Sequence, residues 1–165
     1  MAQTIEPAIG SSRQEAYTSL IPQIQALISA ESSPIANMAN TAAVLKSAFN
    51  FWWVGFYLVD GDELVLGPFQ GPVACTRIAK GKGVCGEAWQ QSSVIRVDDV
   101  DQFPGHIACS SASRSEIVVP IVHQGEVKAV LDIDSDKLAD FSQEDETALT
   151  ALAKILANIL YLDAC

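Results

Sequence analysis

Two apolar segments that flank a short turn place the tightest constraint on the fold. EIVVPIV (116–122) and VKAVLDIDS (127–135) are rich in β-branched side chains, and the HQGE turn between them contains Gly125. Such a pair is typical of a β-hairpin. The aromatic and β-branched segment FWWVGFYLV (51–59) predicts a second hairpin, because DGDE (60–63) supplies a turn into LVLGPF. The middle of the chain is therefore expected to form an antiparallel sheet.

Helical patterns lie at both ends of the chain. Residues 12–30 begin with a capping box and repeat apolar side chains at helical spacing, although Pro22 is expected to bend this helix or shift its start. Further helices are predicted from the N-caps Ser33 and Ser142. Between the hairpins, GVCGEAWQQS and VIRVDDV predict a short helix and another strand. Helices around a hairpin-rich middle predict an α+β fold, with N- and C-terminal helices packed on an antiparallel sheet.

Length and composition favour a single globular domain over residues 1–165, with residues 1–11 as a loose N-terminal segment. The formal net charge of −10 argues against nucleic acid and anionic membranes as partners, since both attract basic surfaces. No apolar run reaches the ~18 residues of a membrane span. The N-terminus has neither the basic start nor the apolar core of a secretion signal. The expected location is cytoplasmic.

Four cysteines, at positions 75, 85, 109 and 165, are expected to be reduced at rest in that compartment. Catalytic or metal-binding roles are then more plausible than structural disulfides. The spacing disfavours a metal site, because no Cys-x-x-Cys pair occurs and His106 is the histidine near a cysteine, in HIAC. We expect neither a metal nor a cofactor.

Two aspartates near the end of the second hairpin could do chemistry. Asp132 and Asp134 are two residues apart on a predicted strand, so both side chains leave the same face. Glu116 opens the partner strand and can join the same acidic patch. These acids could be a harmless solvated strand end, but they could also bind an ammonium group or hold a proton between them.

The three internal cysteines lie in polar, glycine-rich surroundings. Cys75 and Cys85 occur among four glycines, which indicate turns or a close approach of the backbone to a ligand. Cys85 is expected at a helix start, where the helix dipole would lower its thiol pKa. Cys109 lies between His106 and Arg114, either of which could stabilise a thiolate. Packing explains any one cysteine, but together they suggest a nucleophile, a resolving thiol and a nearby acid.

Four segments carry a resemblance to a known family: WWVGFYL, LGPFQGPVACTRIAKGKGVCGEAW, FPGHIACSSASRSEIVVPI, and VLDIDS followed by FSQEDE. From about residue 12 to residue 160 the chain resembles the free methionine-(R)-sulfoxide reductases, enzymes built on a single GAF domain. The resemblance implies that Cys109 attacks the substrate, that Cys75 resolves the product, and that Cys85 takes part in disulfide relay. The substrate-binding residues that it implies are Trp53, Glu116, Asp132 and Asp134.

The implied reaction is reduction of free L-methionine (R)-sulfoxide to methionine. It passes through a sulfenic acid on Cys109 and a disulfide with Cys75, which thioredoxin then reduces. The resemblance also implies a homodimer. The alternative is a non-catalytic GAF module that senses a small ligand, in which the cysteines pack or act as sensors.

Overall fold

The computed structural model describes residues 5–8, 10–107 and 111–161. The helices in these ranges are α1 (Arg13–Ser29), α2 (Pro34–Phe49), α3 (Gly83–Gln91) and α4 (Gln143–Leu160). The strands are β1 (Trp53–Asp60), β2 (Glu63–Gln70), β3 (Arg77–Ala79), β4 (Ile95–Val97), β5 (Ser115–His123) and β6 (Glu126–Ser135). A 3-10 turn, Val100–Gln102, follows β4.

The strands form one antiparallel sheet in the order β3-β2-β1-β6-β5-β4. Both predicted hairpins are confirmed as β1–β2 and β5–β6, and they join where β1 pairs with β6. The predicted α+β fold class is confirmed. The strand β3 was not predicted, because an edge strand of three residues with exposed Arg77 and Ala79 is too short to show a periodic pattern.

The predicted helices are confirmed, and their ends follow local capping chemistry. The side chains of Ser12 and Ser142 each accept a hydrogen bond from a backbone N–H in the first turn of their helix, as part of a capping box. Ser33 caps the helix that begins at Pro34. Pro22 lies inside α1 and does not shift its start. Pro22 is exposed, on the side of α1 away from the buried Leu20 and Ile24.

Successive side chains along each strand point to opposite sides of the sheet, and both sides are buried. One face, the helix face, packs against α2 and α4 through side chains such as Val54, Phe56, Leu131 and Ile133, and α1 packs on these two helices. The other, the site face, packs against α3, which contacts β3, β4, β5 and β6. Trp53, Tyr57, Val118 and Val130 lie on it, and these residues alternate in sequence with those of the helix face.

Within the described ranges, no helix has both the length and the apolar character that crossing a bilayer requires. The single-domain extent over 1–165, the cytoplasmic location and the homodimer stay predictions.

Candidate active site

Three of the proposed functional residues lie in one row across three neighbouring strands of the site face. Asp134 on β6 is directly opposite Trp53 on β1 and directly opposite Glu116 on β5. Asp132 lies in the next row, between Gly55 and Val118. The sequence pattern predicted that Asp132, Asp134 and Glu116 share a face, and the strand register confirms it.

A cavity opens over this row, between the sheet and α3. It contains about 550 Å³ of empty space including its open mouth. Four of the predicted residues on the sheet line it, and α3 adds Cys85. Two loops complete the wall with the side chains Val73, Ala74, His106 and Ile107.

Trp53 is fixed in the cavity wall by close packing on both sides of its ring. The indole stacks on Phe69 at 5.3 Å between ring centroids, and its Nε1–H donates to the carbonyl of Pro72 at 3.0 Å. A Cβ at Gly55 would lie 2.3 Å from the Trp53 ring, and one at Gly71 would lie 2.5 Å from it. Both glycines are therefore needed where the indole lies against the backbone.

Cys85 is presented to the cavity by the first turn of α3. Helix α3 lies close to the preceding turn because Gly86 has no side chain: a Cβ there would be 2.5 Å from the carbonyl oxygen of Ala79. Cys85 is a free thiol and is 3% exposed. Gly86 thus serves packing of the protein against itself, whereas Gly83 lines the cavity.

The expectation of a lowered Cys85 pKa was wrong. Burial raises the pKa of the Cys85 thiol well above its ordinary value, and the neighbouring carboxyl groups of Asp132 and Glu116 raise it further. The dipole of a nine-residue helix is weak beside the loss of solvent and two neighbouring acids. Cys85 is therefore a protonated thiol at neutral pH.

The three carboxyl groups differ in protonation. Burial raises the pKa of Glu116 well above its usual range, and the charges of Asp132 and Asp134 together with a hydrogen bond to Asp132 raise it further. Burial also raises the pKa of Asp132, which the same hydrogen bond opposes. This pattern places the proton on Glu116, the group for which the bond raises the pKa. Burial raises the pKa of Asp134 only to about 6, because Ser113 donates a hydrogen bond of 2.5 Å to its Oδ1.

One carboxylate oxygen in the cavity wall has no hydrogen-bond partner. Asp132 is 7% exposed, and its Oδ1 is buried and unpaired among the residues that the structure describes. A buried acceptor left in this state is costly unless a bound molecule completes it. The cavity is therefore prepared for a hydrogen-bond donor or a cation.

Two of the three proposed catalytic cysteines are described, and they have different states. Cys75 is half-buried and disulfide-bonded, and its carbonyl accepts a hydrogen bond of 2.9 Å from the Tyr57 hydroxyl. Its neighbour Ala74 lines the cavity. Cys109 lies outside the described residues, as does Cys165.

The two residues expected to stabilise a Cys109 thiolate are described. Burial lowers the pKa of His106, so the imidazole is neutral at physiological pH and brings no positive charge. Its Nε2 is 3.9 Å from the Glu116 carboxyl group. The Arg114 side chain is exposed. It lies directly before β5, which begins with the buried Ser115 and Glu116.

Comparison with known proteins agrees with this geometry. Residues 36–160 match the GAF domain family. The chain is 58% identical to GAF domain-containing protein A of Dictyostelium discoideum, over 96% of this chain and 100% of that protein. It is 46% identical to the free methionine-R-sulfoxide reductase of Escherichia coli K12, over 90% of each. The chain belongs to the free methionine-R-sulfoxide reductases, within the GAF-domain family.

A solved structure of this reductase family is similar over nearly the whole chain. The Neisseria meningitidis free methionine-R-sulfoxide reductase, solved in complex with its substrate, is 54% identical with a TM-score of 0.90, covering 92% of each chain. The predicted family membership and GAF fold are confirmed. The roles assigned to individual residues stay predictions.

Sequence reasoning missed two polar residues of this reductase site. Ser113 donates to Asp134 from the loop before β5, and Tyr57 holds the backbone of Cys75 while its ring lines the cavity. Strand alternation could have indicated Tyr57, because it shares a face with Trp53 and Gly55. Nothing local marks Ser113 among the serines of SSASRS.

Proposed function

We propose that this chain reduces free L-methionine (R)-sulfoxide to L-methionine, with Cys109 as the attacking thiol. The observation that carries the proposal is the cavity of the site face. There an aromatic wall, an acid that holds a proton, a carboxylate that is largely ionised at neutral pH and the Cys75 segment meet. Membership of the reductase family supports the same assignment.

Substrate binding follows from the two aspartates and the tryptophan. Asp134, with its pKa of about 6, carries a negative charge at neutral pH and pairs with the α-ammonium group. The Asp132 Oδ1, which has no partner in the described residues, accepts a hydrogen bond from the same ammonium group. The methyl sulfoxide end lies against Trp53. A methionine sulfoxide within a peptide has no ammonium at this place, so it would leave both carboxylates without a cationic partner.

Proton delivery is assigned to Glu116. When the surroundings give two acidic groups different pKa values, the group with the higher pKa commonly acts as the acid and the ionised group binds positive charge. Here Glu116 keeps its proton while Asp134 loses one. The Cys109 thiolate attacks the sulfoxide sulfur and forms a sulfur–sulfur bond as Glu116 protonates the oxygen. The hydroxyl group then transfers from the substrate sulfur to the Cys109 sulfur while the sulfur–sulfur bond breaks, so methionine leaves and Cys109 becomes a sulfenic acid.

Resolution and recycling restore the thiols. The Cys75 thiol attacks the sulfenic sulfur, which forms a Cys75–Cys109 disulfide and releases water. The disulfide-bonded state of Cys75 supports this step. A thioredoxin-type dithiol then supplies two electrons, reduces the disulfide and leaves as its own disulfide.

The test is turnover of free methionine sulfoxide in an assay coupled to NADPH through thioredoxin reductase and thioredoxin. Wild type should turn over, Cys109→Ser should be inactive, and Cys165→Ser should match wild type. Cys75→Ser should release about one methionine per chain and then stop. A wild-type protein that binds the sulfoxide without turnover would instead support a ligand-sensing GAF module and contradict the proposal.

A further inference from the structure

A thiol and two carboxyl groups converge at the base of the cavity from three different elements. Cys85 comes from α3, Glu116 from β5 and Asp132 from β6, and all three are buried. One potential ligand atom from each lies within 4.8 Å of the other two. From this geometry we infer that the group binds one thiophilic divalent cation of the Zn²⁺ class.

The spacing suits a tetrahedral ion with an open position. Zn²⁺ bonds thiolate sulfur at ~2.3 Å and carboxylate oxygen at ~2.0–2.2 Å, so ligand atoms around it are about 3.5 Å apart. The three ligand atoms lie within 4.8 Å of one another, so each pair is at most about 1.3 Å wider than that spacing. Asp134 lines the same cavity, so its carboxylate or a water could supply a fourth ligand.

A second observation independently points to a bound ligand. Asp132 Oδ1 is buried and without a hydrogen-bond partner in the described part of the chain, and Asp132 lines the cavity. A cation bound there would be coordinated by this oxygen and so give it a partner. The cluster could not be found from sequence spacing, because its members are 31 and 16 positions apart, as Cys85, Glu116 and Asp132.

The ligand set selects a soft or borderline ion. Mg²⁺ and Ca²⁺ require six or more oxygen ligands, whereas one sulfur and two oxygens suit Zn²⁺, Co²⁺ or Cd²⁺. The cation would also occupy Asp132, so it should compete with methionine sulfoxide. That competition rests on the proposed function, but binding of the ion itself does not.

Co²⁺ is the probe, because a thiolate ligand gives it a charge-transfer band in the near ultraviolet. The oxidised protein, in which Cys75 is disulfide-bonded, is titrated at pH 8 without substrate, because ligands bind metal in their deprotonated forms. Wild type should bind one Co²⁺ with the sulfur band, and Zn²⁺ should displace it. Cys165→Ser is the matched control and should behave as wild type.

Two variants remove separate ligands. Cys85→Ala should lose the sulfur band, and Asp132→Asn should bind Co²⁺ more than tenfold more weakly, since loss of even an outer partner costs about 10–100-fold. Circular dichroism of each variant checks the fold. A wild-type complex without the sulfur band, or a band that survives in Cys85→Ala, would overturn the inference. Because no turnover is measured, a failed reductase assay leaves this result intact.

Discussion

The two faces of the sheet are built from alternate residues of the same strands, yet they have different roles. On β6 the helix face receives Ala129, Leu131 and Ile133, which are fully buried and apolar. The site face receives Val130 and then Asp132 and Asp134. Between Ala129 and Asp134 the apolar pattern is thus broken only on the site face, where β6 meets Trp53 and Glu116.

This difference separates stability from chemistry. Apolar burial on the helix face stabilises the fold in proportion to the area removed from water. The site face includes three acids whose pKa values burial raises, so each ionised carboxylate there opposes folding. Variants of the two faces should therefore change different measurements.

Glu116→Gln should have the largest effect on activity. The amide keeps the shape and a hydrogen-bond donor toward Asp132 but cannot deliver a proton. We expect the rate constant of methionine formation to fall by about 10²–10⁴-fold, as for loss of a general acid. Single-turnover methionine release measures it. The exposed Glu126→Gln is the control, and a wild-type-like rate constant in Glu116→Gln would exclude Glu116 as the proton donor.

Leu131→Ala should have the opposite effect, a loss of stability with little change in activity. Leu131 is fully buried on the helix face, in register with Phe56 and Val119. Truncation should lower the free energy of unfolding by about 2–5 kcal/mol. Urea denaturation should show a lower midpoint with an unchanged slope, while kcat/KM of the folded protein stays near wild type. A large loss of kcat/KM without loss of stability would show that the faces are not separable.

Asp134→Asn should change both measurements, in opposite directions. Burial raises the pKa of Asp134 from 3.8 to about 6, so the native state binds the extra proton between those values. Its contribution to stability is complete below pH 3.8 and is lost as the pH rises through 6. At pH 8 the variant should be more stable than wild type by about 2–3 kcal/mol, with the gap closing toward pH 4.

The same variant should raise KM for the free sulfoxide at pH 8, because the negative charge opposite the ammonium is gone. Thermal unfolding at pH 4 and pH 8 and steady-state kinetics give the two measurements. Asp136→Asn, at an exposed position beyond β6, is the matched control and should change neither. Equal stability of Asp134→Asn and wild type at both pH values would contradict the account of the site face.

The sequence predicted the acids better than the thiols, for a physical reason. Strand alternation and hairpin register are local, so the shared face of Glu116, Asp132 and Asp134 could be derived from spacing. Thiol acidity depends on burial, which is a property of the assembled fold. Cys85 has the helix-start position that was expected, but its pKa shifts in the opposite direction because α3 is packed onto the acids. Ser113 reaches Asp134 only through tertiary structure.

Ser113→Ala should have the smallest effect, and one limited to a narrow pH range. The Ser113 hydroxyl donates to Asp134 Oδ1 and thereby holds the pKa of Asp134 down. Without this bond the pKa rises, so less of Asp134 is ionised near pH 6 and the ammonium is held more weakly. KM should increase roughly threefold at pH 6 and converge on wild type toward pH 8, where Asp134 is ionised in both proteins. Ser111→Ala, at an exposed position of the same loop, should follow wild type throughout. A uniform rise in KM at every pH would mean that Ser113 acts through loop structure rather than through the charge of Asp134.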